Sequence, residues 1–551
     1  MARRTYIALA LAGLALLLAL GVGGYLTLWG LPEALSPAVL HWNTARFERE
    51  VLEQYIRTAA LRLRVDPGAG QIEGTAVLQV EHRAPEGQSI HFLLNPGLAI
   101  RAARCNGGVA RIKRSGVFVT LRSPRLAPAN SIELTYQGSV TTTPMQPVWP
   151  SESEMLLPML SFWCPVDLHS FTTFACTVQA PPGFEVIGGE RHRIDTLQGG
   201  GRTYTWAESR PVMGLALAVG RYEVQTRWSG GCTYRLYRAR GGQSDADELL
   251  DMLERVHGYF QSRFGPDGFP AVNLVLSEDV EQSVHGGNTT VALPVKAVAD
   301  PDRAVLEMAR QLAHNWWGGT VSGDWFTARP EAGQWLVDSL AEYSAWRALE
   351  EVRGKGALWR HREMLRCPGT ISFSMNTLNL ANRFQPDPAS APFALVRGPY
   401  AASLLAEYVG EKAFFRGCRQ FFERYRHSTA SYMALIRQLE LASEQPLGEL
   451  CRLWFDRGGT FDYAITSVSE EAGEARIAIE NAGDLPAPVP LTLAISTGRS
   501  TRLYPLRAEA GTAELRAALD APLKRVVLDP HYATPDMKRE NNLWPYMTGS
   551  Q

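Results

Sequence analysis

The spacing of apolar residues changes twice along the chain, and this restricts it to a multidomain α+β architecture. From Tyr55 the pattern alternates in short runs: LRLRV, then DPGAG, then TAVLQVEH reads as strand, turn, strand. SIHFLL, GVFVTLRS, SIELTYQG and FTTFACTVQAPPGFEVIGG continue it, so residues 55–225 are expected to form a β-rich domain with one face of each strand buried. The texture then shifts. GCTYRLYRAR and FPAVNLVLS are strands, and between them Leu249, Leu250, Leu253, Val256 and Phe260 recur at helical spacing. Arg303 to Asp456 is mostly helical in pattern, which gives an α-rich domain over 226–460. From Phe461 the runs ARIAIEN, PLTLAIST and KRVVLDP restore the alternation, and 461–551 reads as a small β-sandwich.

One segment belongs to none of these. After Arg3 and Arg4, the 24 residues Tyr6–Trp29 carry no charge, and as a helix they would span about 36 Å, enough for a bilayer core. A cleaved signal peptide is the competing reading, but its apolar part is usually about 7–15 residues. Residues 1–30 are therefore expected to be a cytoplasmic stub and transmembrane anchor, and 31–54 a stalk. The next cation after the run is Arg46, so the positive-inside rule places the bulk of the chain outside the cytoplasm, periplasmic or extracellular. Lys+Arg 55 against Asp+Glu 56 leaves a net charge of −1, which gives no field to attract nucleic acid. The seven cysteines include no CxxC pair, so a structural zinc knuckle is not expected. Export would allow Cys164 and Cys176 to oxidise, although sequence cannot fix a pairing. Cys418 and Cys451 read as buried apolar residues.

The stretch AVLEMARQLAHNWWGG, Ala304 to Gly319, reads as a helix running into a glycine stop. LAHNWWGG followed by QWLVDSLAEYSAW resembles the zinc aminopeptidases of the membrane alanyl aminopeptidase and leukotriene hydrolase family, the gluzincins. The closest likeness is to the branch associated with bacterial ABC transporters. YIRTAALRLRVDPGAGQIEGTA resembles that family's opening strands, VRGPYAASLLAEYVGEKAFFRGCRQFFERY its later helices, and VVLDPHYATPDMKRENN its last strand. The resemblance implies a β-rich N-domain, a thermolysin-like α-rich peptidase domain and a C-terminal β-sandwich.

It also implies a site. In the family, two histidines one helical turn apart hold zinc, and a glutamate beside the first is general base toward the zinc-bound water. A glutamate on a second helix is the third ligand, a tyrosine donates to the oxyanion, and a glutamate in a glycine-containing loop holds the substrate amine. Aligned on the shared core, the first histidine's position holds Arg310, the base's Gln311, the second histidine's His314, the third ligand's Asp338 and the tyrosine's Leu395. The loop SVHGGNTTVAL has no glutamate, and the stretch from His314 to Asp338 is longer than is usual in the family. Arginine stays protonated and cannot ligate metal, glutamine cannot take a proton from water, and leucine cannot donate to an oxyanion.

No catalytic or metal role is therefore expected at Arg310, Gln311, His314, Asp338 and Leu395, and no cofactor. Arg310 and Asp338 are expected to meet as a forked ion pair in the metal's place; the alternative has Arg310 turned to solvent. His285, Gly286, Gly287, Asn288 and Trp316 are candidate cleft residues for strand addition. Equally, His285–Asn288 reads as a plain turn, and the tryptophans as core or groove walls. The leading functional reading is a membrane-anchored pseudopeptidase binding a peptide, a protein or, by family resemblance, a transporter subunit. One alternative is a live zinc peptidase using His314, Asp338 and Glu342. Another is a purely structural scaffold.

Overall fold

The computed structural model describes residue 47 and residues 50–545, except 84–88, 144–145, 190–192, 209, 243, 282, 286–288, 324–334, 366–397, 452–453, 455–459, 484–487, 509–510 and 537. The run Tyr6–Trp29 lies outside the described residues, and among those described no helix is long and apolar enough to cross a membrane. The end of the expected stalk does not stand apart. Phe47 and Val51, one helical turn from each other, are buried in the first core, and Gln54 already opens a strand. The ring of Phe47 lies 5.2 Å from that of Phe118, so this short apolar face folds onto the domain that follows.

That domain is β-rich, as its alternation requires. Strands β1 (Gln54–Asp66) and β2 (Gln71–His82) pair antiparallel across the DPGAG turn. Ala59, Leu61, Leu63 and Val65 of β1 point inward while Arg62 and Arg64 face out. Inside an eight-stranded sheet, β1 also pairs in parallel with β3 (Thr173–Ala180), so that Leu61 lies opposite both Ala76 and Cys176. Cys164 and Cys176 are free, buried thiols, so the suspected disulfide is not formed.

The peptidase-like region begins slightly earlier than its pattern suggests. Strand β4 (Tyr222–Ser229), expected to close the first domain, pairs with β5 (Cys232–Ala239) because the Gly230–Gly231 turn makes them a hairpin. They join β6 (Ala271–Ser277), β7 (Val284–His285) and β8 (Thr290–Pro294) in the order β4-β5-β6-β8-β7. Strands β5, β6 and β8 run parallel, while β4 and β7 are antiparallel edges. Every residue of β6 is buried, as a strand covered on both faces should be.

Helix α1 (Ala246–Phe264) starts where Asp245 accepts from the amides of Asp247 and Glu248, and all five predicted apolar positions are buried. Helix α2 (Pro301–Ala313) is capped in the same way by Asp300; it ends at His314, and a turn carries the chain on to the expected glycines. Gly318 has φ +118°, and a Cβ there would lie 3.0 Å from a Val337 methyl, so only glycine lets the chain pass. A π-helical turn, Trp335–Ser339, leads into α3 (Leu340–Arg353). Helices α4 (Lys355–Met364), α5 (Gly398–Val409), α6 (Glu411–Arg424) and α7 (Tyr432–Ser443) complete the region. Strands β9 (Val489–Thr497), β10 (Thr501–Ala508) and β11 (Leu523–Leu528) share one sheet of the terminal sandwich. Its apolar face is continuous with the helical core, in a single cluster from Cys232 to Leu528.

Candidate functional site

Helix α2 places residues 310 and 314 one turn apart on one face, and α3 packs beside it. The guanidinium of Arg310 is ion-paired on both sides. Its Nη2 donates to Glu307 Oε2 at 2.8 Å, one turn back on α2, and its Nε lies 3.4 Å from Glu342 Oε2 on α3. The second contact is Coulombic, since neither atom has a hydrogen-bond partner. The expected Arg310–Asp338 pair is thus replaced by Arg310–Glu342. Asp338 sits in the π-turn and is a methylene shorter, whereas Glu342, four residues on, reaches across from the regular helix.

The network is electrically closed. Arg303 Nε approaches Glu307 Oε1 at 3.6 Å, so two guanidinium groups face the two carboxylates Glu307 and Glu342. Trp346 Nε1 donates to Glu342 Oε1 at 3.0 Å. Burial still outweighs the Arg310 charge and raises the Glu342 pKa. His361 Nε2 lies 3.9 Å from Glu342 Oε1, but burial and then the charges of Arg310 and Arg362 push its imidazole down to about 4, so it adds no charge at neutral pH. Gln311 has become a tie. Its Nε2 donates to Ser283 Oγ at 2.9 Å and to the Ser283 carbonyl at 3.2 Å, while the Ser283 hydroxyl donates to Glu307. These bonds fasten α2 to the residue preceding β7.

His314 is half-buried and caps the end of α2, its Nδ1 2.9 Å from the Trp317 carbonyl. A zinc ion does not fit this donor set: a fixed cation stands at the first ligand position and Glu342 is already paired to it. Among the described residues no three His, Cys, Asp or Glu side chains are grouped to hold a metal.

The remaining candidates separate. His285 lies in β7, an edge strand whose backbone pairs only with β8 among the described residues. Gly286, Gly287, Asn288 and Leu395 lie outside the described residues. Trp316, a cleft candidate that also reads as core, is wholly buried, because the chain turns inward after His314. Its Nε1 donates to the Gly265 carbonyl at 2.9 Å, and its ring packs on Phe260, Phe264 and Phe422. Beside it, Asn315 Nδ2 donates to Asp267 Oδ2 at 3.2 Å, and the same oxygen lies 3.2 Å from His257 Nε2. The Tyr234 hydroxyl meets His257 Nδ1 at 2.9 Å.

Sequence reading missed Glu307, whose spacing three residues before Arg310 is the signal that would have found it. It also missed Glu154, for which no local signal exists. Glu154 is buried at the seam between the first domain and β6, with Oε1 unpartnered. Burial pushes its carboxyl up to about 7, against partial relief from Ser277 and Tyr222. A carboxyl raised in the folded state contributes stability below its unfolded value near 4.5, and this is lost as pH rises through about 7. Glu154→Gln should therefore stabilise the protein by about 2 kcal/mol at pH 8 and by little at pH 4, read by urea denaturation.

The peptidase family M1 domain matches residues 290–454, which contain both helices of the Arg310 network. Over those residues the chain is similar to peptidase family M1. Aminopeptidase M1 of Arabidopsis thaliana is 20% identical over 372 residues, covering 63% of this chain and 41% of that protein. The alanine/arginine aminopeptidase of Saccharomyces cerevisiae is 23% identical over 392 residues, covering 65% of this chain and 44% of that one. This chain thus spans less than half the length of either relative. Its fold matches that of Legionella pneumophila aminopeptidase A, solved with aspartic acid, at a TM-score of 0.70 and 12% identity, covering 88% of this chain and 59% of the other.

Proposed function

We propose that this chain is a pseudopeptidase: an aminopeptidase-like ectodomain that binds a peptide or protein segment without hydrolysing it. The observation that carries this is Arg310, ion-paired to Glu307 and Glu342 at the position where the family places a zinc ligand. A guanidinium neutralises the carboxylates that would otherwise attract a divalent ion, and Gln311 spends its amide on Ser283. The binding element is the edge strand β7, which offers backbone groups for strand addition and which the Gln311–Ser283 bonds hold in place. The uncharged run Tyr6–Trp29 would tether the ectodomain to the cell membrane outside the cytoplasm, and likeness to the transporter-associated branch makes a transporter subunit a candidate partner.

The test is metal content together with hydrolysis. The purified chain, dialysed against zinc, is expected to retain far less than one equivalent and to leave aminoacyl-nitroanilides uncut. Stoichiometric zinc with turnover, both lost in His314→Ala, would overturn the proposal in favour of a live metallopeptidase.

A further inference from the structure

Between the helical region and the terminal sandwich lies a cavity of about 310 Å³, none of whose lining residues belongs to the Arg310 network. It has two chemically different walls. Pro490 and Leu491 of β9 with Pro505 and Leu506 of β10 form the apolar one, and the prolines remove backbone donors from it. The other wall is polar and comes from α3, α5 and the start of α6.

Its charged groups are unequally satisfied. Arg347 is committed, with Nη1 donating to Glu350 Oε2 at 2.5 Å and Nη2 to Glu411 Oε2 at 2.8 Å. Glu407, exposed toward the cavity, has no hydrogen-bond or ion-pair partner among the described residues. Besides Arg347, the cation that acts on it is Arg362 on α4, which is buried against Trp346 and bonded to Ser403 Oγ at 2.8 Å. What the cavity offers unmet is therefore an acceptor facing an apolar wall, at a domain interface, in a volume at the small end of ligand sites.

We propose that this interdomain cavity binds a small primary ammonium compound with a short aliphatic body. The ammonium sits on the Glu407 carboxylate and the aliphatic part against Pro490, Leu491, Pro505 and Leu506. The site is independent of the cleft reading, so either can fail without the other.

Protonation gives the test a second handle. The cavity walls limit hydration of the Glu407 carboxyl and push it up to about 7; Arg362 and Arg347 draw it down, while Asp529 and Glu350 push it further up. Glu411 on α6 also faces this wall. The ammonium-binding form thus predominates only above neutrality.

The probe is n-butylammonium chloride, titrated calorimetrically into the full chain, with n-butanol as the neutral isostere. Saturable one-to-one binding is expected at about pH 8.5, about thirtyfold weaker at about pH 5.5 from the ionised fraction of a group titrating near 7. Butanol should not bind measurably, and Glu407→Gln should lose about tenfold or more at the higher pH. No saturable binding at pH 8.5, or equal affinity in Glu407→Gln, overturns the proposal. Should that variant not fold, equal affinity at the two pH values, or for butanol and butylammonium, overturns it in the wild type.

Discussion

Arg310→Ala is expected to lower the free energy of unfolding by about 3 kcal/mol, measured by urea denaturation at pH 7. The loss does not come chiefly from the attraction itself, because desolvating both partners offsets much of that. It comes from what the truncation leaves behind. The Glu342 side chain is only 4% exposed, its Oε2 has no hydrogen bond, and burial already raises its pKa with Arg310 in place. Without the guanidinium this carboxylate must either stay charged in an apolar helix interface or take up a proton. Glu307 is better placed, since Arg303 and Ser283 remain. Adding Glu342→Gln to Arg310→Ala should therefore recover most of the loss, because the buried charge goes with its partner. If Arg310→Ala stays within about 1 kcal/mol of wild type, the size typical of an exposed pair, the guanidinium is not what holds α2 to α3.

A second large effect is expected on the alkaline side. His257 and Asp267 are both fully buried, 3.2 Å apart. Burial by itself would lower the imidazole, but the Asp267 hydrogen bond and charge, with a contribution from Cys232, hold it up at about 9. The same contact keeps the Asp267 carboxyl below its ordinary value despite burial, helped by Asn315 and the Phe269 amide. A histidine raised in the folded state stabilises fully below its unfolded value near 6.5, and that contribution is lost as pH rises through about 9. The lowered Asp267 contributes above its unfolded value and is lost on the acid side. Between pH 6 and pH 10 the wild type should lose about 3 kcal/mol more than His257→Gln, whose side chain does not titrate. Glu154 and Asp536 also titrate, both near 7, and cancel in the difference between the two proteins. Parallel stability curves for wild type and variant would show that His257 is neutral in the folded state.

Both effects reach the same segment. Arg310 and Asn315 lie at the two ends of the turn that closes α2, one tied to α3 and the other through Asp267 to the end of α1. The turn that carries metal ligands in the family is here held by side-chain bonds on either side.

The sequence by itself determined what depends on near neighbours. Alternation fixed which residues of β1 and β2 face the core, and helical spacing marked the buried face of α1. In both cases a rule over two to five residues is enough, because strand and helix periods are short. The likeness of LAHNWWGG to the family motif is what implied that the hydrolytic groups are replaced at residues 310, 311 and 314.

The tertiary structure alone decided the partners. Asp338 stood in the expected place to meet Arg310, but the π-turn and a shorter side chain gave the contact to Glu342. Trp316 turned into the core although its neighbour His314 is half-buried, and Gln311 found Ser283 across 28 residues. The parallel pairing of β1 with β3 joins segments more than a hundred residues apart. Such contacts depend on how helices and sheets pack and on a single methylene of reach, and no local period encodes either.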